Sequence, residues 1–280
     1  MARVTGETMA DRNAAFVGEI PGNYDRYLGP IFFHGYADDL AARLPVTPGM
    51  RVLETACGTG IVTRRLADRI RGHGSLVATD LNEAMIAHGR TTLAAGPGLL
   101  EWQPADATKL PFPDGSFDAV VCQFGLMFFP DKSAGVREAF RVLKPGGRYL
   151  FNVWDAIVHN PVARIAHGTV AAFFPADPPT FYEVPFSLHD PEPVLGLLGQ
   201  AGFGEIAWTR LEKTGSSPSS ADAARGLIEG NPILGAIMER RPEALGDIKQ
   251  AVADAIAAEL GDHPVVFPLR AIVFSATRPT

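Results

Sequence analysis

Val52-Leu53-Glu54-Thr55-Ala56-Cys57-Gly58-Thr59-Gly60 decides how this chain folds. The short apolar run from Arg51 to Thr55 passes at once into a turn of tiny residues, and a helical pattern begins at Ile61. An apolar run of this length ending in such a turn reads as a buried strand. Small residues let the backbone pass close to a ligand. The start of the following helix offers unpaired N–H groups and a partial positive charge. Asp80 closes the next apolar run, 20 residues beyond Gly60. In doubly wound sheets a carboxylate at that place holds ribose hydroxyls.

Working outward, the same alternation repeats. Ser75 to Thr79 reads as a second strand, Leu99 to Gln103 as a third, Phe117 to Cys122 as a fourth and Gly147 to Trp154 as a fifth. Helical patterns fill the gaps over 61–70, 82–93 and 133–143. Strands alternating with helices imply right-handed βαβ units and a parallel sheet. Upstream, residues 1–22 read as a loose start, and 24–44 as a helical cap with an aromatic cluster. Downstream, 156–186 read as a loop-rich insertion, 191–202 as a helix, 205–211 as a strand and 215–220 as a Ser/Gly/Pro linker. Residues 221–260 are helical in pattern, broken near Asn231-Pro232 and Arg241-Pro242, and 265–276 end the chain as a long strand. The expected fold is α/β, a Rossmann-like doubly wound, mostly parallel seven-stranded sheet with an antiparallel last strand and a helical cap.

Two nucleotide chemistries compete for the first turn. A dinucleotide fingerprint needs a third Gly or Ala, and Thr63 stands at that place. An acid just before the turn, Glu54, suits a ligand whose near end is cationic rather than a pyrophosphate. S-adenosylmethionine, with its ammonium and sulfonium, has such an end.

Four motifs in order carry a resemblance to a known family. The first is Glu54 to Gly60, with Ala56 where many members have glycine. The second is Asp80-Leu81-Asn82 with Met85, and the third is Ala105-Asp106-Ala107 followed by Leu110-Pro111-Phe112 and Asp114 to Asp118. The fourth is Leu143-Lys144-Pro145-Gly146-Gly147-Arg148. Over about residues 45–155 the sequence resembles the class I S-adenosylmethionine-dependent methyltransferases, in particular the small-molecule enzymes similar to the ubiquinone/menaquinone-biosynthesis type.

That resemblance implies S-adenosyl-L-methionine as cofactor, S-adenosyl-L-homocysteine as product, and a set of roles. The backbone at Ala56, Gly58 and Gly60 passes the methionyl part, and Glu54 meets its ammonium. Asp80 takes the ribose hydroxyls in charge-assisted hydrogen bonds. Leu81 and Met85 sandwich the adenine, Asp106 and the Ala107 N–H meet its amino edge, and Gln123 lies near the transferred methyl. Tyr27 reaches the site from the cap. Plainer roles stand beside these: Glu54 as a cap or salt-bridge partner, Asp80 as an N-cap, Asp106 as an Asx-turn residue, Leu81 and Met85 as core.

Methyl transfer needs alignment and exclusion of water more than acid–base chemistry. No Ser/His/Asp or Cys/His constellation is legible, and His34 and His159 are the candidate bases. Phe32, His34, Phe124, Phe128, Phe174 and Tyr182 are candidate pocket residues, with Phe33, Met127, Phe129, Phe173 and Phe181 beside them. This inventory points to a small apolar or aromatic acceptor. Segments follow as an N-terminal cap (1–44), the cofactor-binding core (45–155), an insertion near the substrate pocket (156–186), core again (187–214), a helical insertion serving as lid or homodimer contact (215–262), and a last core strand (263–280).

Composition narrows the alternatives. The chain has 280 residues, a formal net charge of −6 and a pI near 5.6, which argues against phosphate-neutralising nucleic-acid binding. After the fourth strand the sequence reads Cys122-Gln123-Phe124-Gly125-Leu126, without the Asn/Asp-Pro-Pro-aromatic motif of base methylation. Cys57 and Cys122 have no metal-type partners nearby, so neither a disulfide framework nor a metal site is expected. No stretch is apolar and long enough to span a bilayer, and Met1 to Gly6 lacks the apolar core of a secretion signal. The expected address is the cytoplasm. A protein methyltransferase, or a protein that binds the cofactor without transfer, are the rival readings.

Overall fold

The computed structural model describes residue 16, residues 18–93 and residues 98–280. Most of the start read as loose, residues 1–15 and 17, lies outside the described residues.

Among the described residues the first elements are α1 (Ile20–Asn23), a π-helical stretch (Tyr24–Phe33) and α2 (His34–Ala42). Then follow β1 (Met50–Thr55), α3 (Ile61–Ile70), β2 (Gly74–Asp80), α4 (Glu83–Thr92), β3 (Leu100–Pro104), β4 (Phe117–Gln123), α5 (Lys132–Val142) and β5 (Leu143–Trp154). The remainder is α6 (Pro161–Ala172), α7 (Pro191–Ala201), β6 (Gly204–Ser217), α8 (Ser220–Glu229), α9 (Ile233–Arg240), α10 (Leu245–Leu260) and β7 (Val265–Thr277). The seven strands form one sheet in the order β3-β2-β1-β4-β5-β7-β6. β7 runs antiparallel to both neighbours, and the other pairs are parallel. This is the doubly wound sheet with an antiparallel last strand that the pattern predicts.

Local chemistry explains the elements that position the site. β1 and β4 are buried along almost their whole length, as parallel strands covered on both faces must be. On α3 the residues Ile61, Val62, Leu66, Ala67 and Ile70 face the core at helical spacing, while Arg64, Asp68 and Arg69 face out. Asp131 caps α5 by accepting from the Ala134 N–H at 2.8 Å, and Asp190 with Pro191 starts α7 in the same way. Order reverses between β2 and β4 on either side of β1, so a crevice opens at the carboxyl ends of these strands.

Two stretches depart from the sequence reading. The segment 156–186 contains a full helix, α6, whose Val162, Ala163, Ile165, Ala166 and Val170 are buried. Its richness in Pro and Phe hid that periodicity, although Pro161 is a helix-start residue. The Ser/Gly/Pro run at 215–217 is no linker but the end of β6, with Gly215 paired to Phe267 and Ser217 to Val265. Glycine stands at 215 for room: a Cβ there would lie 2.5 Å from the Phe267 ring and 2.8 Å from the Ile31 carbonyl oxygen.

The remaining helices pack on one another. The π-helical stretch packs against α8, and α10 packs against α8 and α6. Ile248, Val252, Ala253 and Ile256 of α10 are buried in that packing. Among the described residues no helix is long and apolar enough to cross a membrane.

Candidate functional site

The turn after β1 is built by left-handed backbone at Ala56 (φ 52°), Gly58 (φ 55°) and Gly60 (φ 87°). At Gly60 a Cβ would also lie 2.6 Å from the Trp102 ring, so glycine is required twice over. Ala56 tolerates the same conformation only with strain. Asp80, at the end of β2, fixes the turn. One carboxylate oxygen accepts the Gly58 N–H at 2.8 Å, and the other accepts the Asn82 N–H at 2.8 Å. The Cys57 N–H bonds to the Thr79 carbonyl at 2.9 Å and closes the same junction. On the other flank the Thr59 hydroxyl donates to Asp25 of the π-helical stretch at 3.1 Å.

A cleft of about 750 Å³, counted out to its open mouth, lies above these strand ends. Ala56, Gly58, Asp80, Leu81, Met85, Asp106, Ala107 and Gln123 all line it. Leu81 is 65 % exposed, which is unusual for leucine, and its side chain borders the cleft. Met85 is buried beneath Gly58. The Asp106 carboxylate accepts from the Thr108 N–H and hydroxyl at 2.8 and 2.7 Å, an Asx turn that orients it. A smaller recess runs deeper between Tyr24, Glu54, Ala56, Gly58, Thr59 and Gln123.

Two buried oxygens point to a missing partner. Glu54 Oε2 and Gln123 Oε1 find no hydrogen bond of ordinary geometry, although both are sealed from water and Thr63 stands beside Glu54. Buried polar atoms without partners are costly and call for an explanation. Glu54 is 1 % exposed, and burial pushes its carboxyl up to about 8. The neighbouring Asp80 charge adds to that rise. Burial also raises the Asp80 carboxyl, against the pull of the N–H groups of Asn82 and Gly58. Glu54 and Gln123 line the recess, and Asp80 lines the cleft beside it.

A second lobe of about 530 Å³ adjoins the first, sharing Phe16, Tyr24, Phe124 and Phe128 with it. Its further walls are Leu28, Phe32 and Phe33 from the π-helical stretch, Trp154 from β5, and Phe181, Tyr182 and Phe186 from the turns after α6. Phe124 has φ 50° and stacks on Trp154 at 3.9 Å between ring centroids. The Asn152 side chain accepts the Phe124 N–H at 3.0 Å and holds that left-handed turn. Tyr24 stacks on Phe33 at 4.8 Å, and burial with the nearby Asp80 charge raises its phenol far above the ordinary range.

Several expected residues stand elsewhere, Met127 and Phe173 among them. Tyr27 faces α8, with its ring under the Arg225 guanidinium at 4.9 Å, while Tyr24 takes its place in the cleft. An α-helical face would align the two tyrosines, but the stretch winds as a π-helix and separates them. His34 packs against Gly29 and lines neither lobe; burial, then Arg65, lowers its imidazole. His159 is exposed on the turn after β5. Phe174 is buried outside both lobes. The sequence reading passed over Tyr24, Trp154, Phe186, Leu227 and Asn231. The strand-end rule reaches Trp154, the last residue of β5, but no local signal reaches the others.

This fold and site define a doubly wound α/β protein of the nucleoside-cofactor class, with an apolar chamber beside the strand-end cleft. A family model for the methyltransferase domain matches residues 52–147. The ubiquinone/menaquinone biosynthesis C-methyltransferase UbiE of Proteus mirabilis is 32 % identical over 178 residues, covering 59 % of this chain and 71 % of the relative. The same enzyme of Ectopseudomonas mendocina is 34 % identical over 178 residues, covering 59 % and 70 %. Among solved structures, phosphoethanolamine N-methyltransferase 2 of Haemonchus contortus, in complex with phosphomonomethylethanolamine and S-adenosylhomocysteine, superposes with a TM-score of 0.64 at 17 % identity. That superposition covers 98 % of this chain and 61 % of the other, and shows the shared fold. The chain belongs to the class I S-adenosylmethionine-dependent methyltransferases, in the family of the UbiE enzymes. It is a methyltransferase that uses S-adenosylmethionine.

Proposed function

We propose that this enzyme methylates a small aromatic acceptor held in the second lobe. The observation that carries the reading is that lobe's lining: ten of its fifteen residues are aromatic, and Tyr24, Phe124 and Phe128 border both lobes. An apolar chamber with a few polar groups is the usual form of a small-molecule site. The relatives' name, a C-methyltransferase of ubiquinone and menaquinone biosynthesis, is compatible with a ring acceptor.

The cofactor, when bound, supplies an electrophilic methyl group on its sulfonium. The chain's own residues then divide the work. Glu54 Oε2 and Gln123 Oε1, buried oxygens of the deeper recess, are suited to the methionyl ammonium. Asp80, already pinned by two N–H groups, has lone pairs left for the ribose hydroxyls. Leu81 and Met85 flank the adenine position, and Asp106 with Ala107 borders its edge. Phe124, Trp154 and Phe128 hold the acceptor ring and keep water away from the shared wall. Burial pins and apolar walls orient the reactants without a general base from His34 or His159. A homodimer through α10 belongs to the same set of proposals.

The test is a screen of hydroxylated benzenes and naphthalenes with labelled S-adenosylmethionine, against glycerophospholipid headgroups and peptides as controls. Transfer to an aromatic carbon, oxygen or nitrogen is the expected result. Transfer only to peptides, with no aromatic product, would reject the reading in favour of a protein methyltransferase.

A further inference from the structure

Tyr24 is the residue common to three neighbouring spaces. The strand-end cleft, the deeper recess and the aromatic lobe share no other lining residue. Gln123 borders the cleft and the recess, and Phe124 borders the cleft and the lobe. Three neighbours fix the place of Tyr24. Its ring stacks on Phe33 of the lobe at 4.8 Å, and it meets Phe16, which borders both lobe and cleft, edge to face at 5.8 Å. The next residue, Asp25, accepts the Thr59 hydroxyl at 3.1 Å and ties this part of the cap to the turn after β1. Burial, then the charges of Asp80 and Asp25, keep the Tyr24 phenol un-ionised. The side chain thus lies within reach of the Asp80 field on one side and the rings of the lobe on the other.

S-adenosylmethionine is a nucleoside and an amino acid joined at one sulfonium, and the methyl on that sulfur must face the acceptor. With the nucleoside in the cleft, the methionyl part in the recess and the acceptor in the lobe, the sulfonium belongs where the three spaces meet. We propose that Tyr24 is a catalytic residue that contacts this sulfonium and its methyl, and so distinguishes the charged cofactor from its neutral product. An un-ionised aromatic side chain attracts a desolvated cation without carrying a counter-charge of its own. The attraction ends when the sulfur–methyl bond breaks and its electron pair stays on sulfur, because a thioether is neutral. Tyr24 therefore favours exchange of product for fresh cofactor. The assignment rests on the division of the spaces proposed above and adds the residue at the reacting centre.

Calorimetry on the full chain tests this with three ligands and no acceptor. S-adenosylmethionine and sinefungin, which bears an ammonium in place of the methylated sulfur, are cationic at this point, and S-adenosylhomocysteine is not. Tyr24→Leu should weaken the two cationic ligands about tenfold and S-adenosylhomocysteine by no more than about twofold. Asp80→Ala, measured beside it, should weaken all three alike, since the ribose is common to them. Equal losses of all three ligands in Tyr24→Leu, or no loss of any, overturn the assignment. Where Tyr24→Leu does not fold, the wild type decides. With its five tyrosines replaced by 3-fluorotyrosine, the Tyr24 resonance, identified by its absence from Tyr24→Phe, should move furthest of the five when sinefungin displaces S-adenosylhomocysteine. A Tyr24 resonance that stays in place overturns the assignment as well. If Asp80→Ala weakens none of the ligands, the placement of the nucleoside in the cleft falls and takes the Tyr24 contact with it. An ordinary loss in Asp80→Ala beside an unselective Tyr24→Leu strikes Tyr24 alone.

Discussion

The two lobes of the cleft are made in opposite ways. The first lobe is assembled largely from residues at or just beyond the carboxyl ends of β1, β2, β3 and β4, and its chemistry is polar: the Asp80 and Asp106 carboxyls, the Gln123 amide and left-handed backbone. The acceptor lobe draws its rings from the π-helical stretch, the ends of β4 and β5, the turns after α6 and the α8–α9 corner. Its chemistry is mostly apolar and its parts lie more than 200 residues apart, from Phe16 to Asn231. A charged ligand needs particular atoms at particular strand ends, whereas a ring needs only a dry space of the right shape. Local sequence therefore records the first requirement and hardly records the second.

Substitutions that act on one lobe alone would sharpen this contrast, and the largest effect is expected at Asp80. Asp80→Ala removes the ribose acceptor and the pin on the Gly58 N–H, and should weaken S-adenosylhomocysteine binding about 100-fold by calorimetry, since bonds to a charged group are worth ~1.5–3 kcal/mol each. Unchanged binding would break the assignment of the ribose to β2's end.

Glu54→Gln should weaken the same ligand about tenfold by removing the charge opposite its ammonium. Glu54 also makes a pH prediction. Its carboxyl is raised by burial to about 8 in the cofactor-free fold, from an ordinary value of 4.5. A raised acid binds its proton more tightly when folded, so its contribution is present below pH 4.5 and is lost as pH climbs to about 8. Melting of the cofactor-free protein should therefore gain from Glu54→Gln above pH 8 and change little near pH 5. At pH 7 the wild type should release a proton on binding S-adenosylhomocysteine, seen as a binding enthalpy that tracks the buffer's ionisation enthalpy. An enthalpy independent of buffer would separate Glu54 from the ammonium.

Trp154→Leu tests the other lobe. Trp154 lines the acceptor chamber alone, so the acceptor KM should rise about tenfold as stacking area is lost, with S-adenosylhomocysteine affinity within about twofold. The variant should also melt earlier, because the indole stacks on Phe124 in the core. Equal losses in both ligands would mean that the lobes are one site rather than two.

Much of the fold was legible because its signals are short-range. The run from Val52 to Gly60 carries a strand, a left-handed turn and a helix start within nine residues, and Asp80, Asp106 and Gln123 sit where strands end. Composition misled where packing overrode it: Gly215 and its serines look like a linker but close against Phe267 in β6, and the prolines around α6 masked a buried helix face. The expected aromatic residues overlap the lining of the second lobe in part: Phe32, Phe124, Phe128 and Tyr182 stand in it. Tyr24 rather than Tyr27 enters the cleft because the cap winds as a π-helix, and Phe174 is buried elsewhere while Phe186 reaches the lobe.

By itself the amino-acid order determined the sheet, the turn that receives the cofactor and the acids around it. These depend on periodicity, backbone conformation and charge within a few residues, all of which are local properties of the chain. Which rings meet, which carboxyl is sealed from water and which amide oxygen is left without a donor were decided only in three dimensions. Burial and the direction of a side chain are properties of neighbours, and for Glu54, Trp154 and Tyr24 the neighbours that matter come from distant parts of the chain.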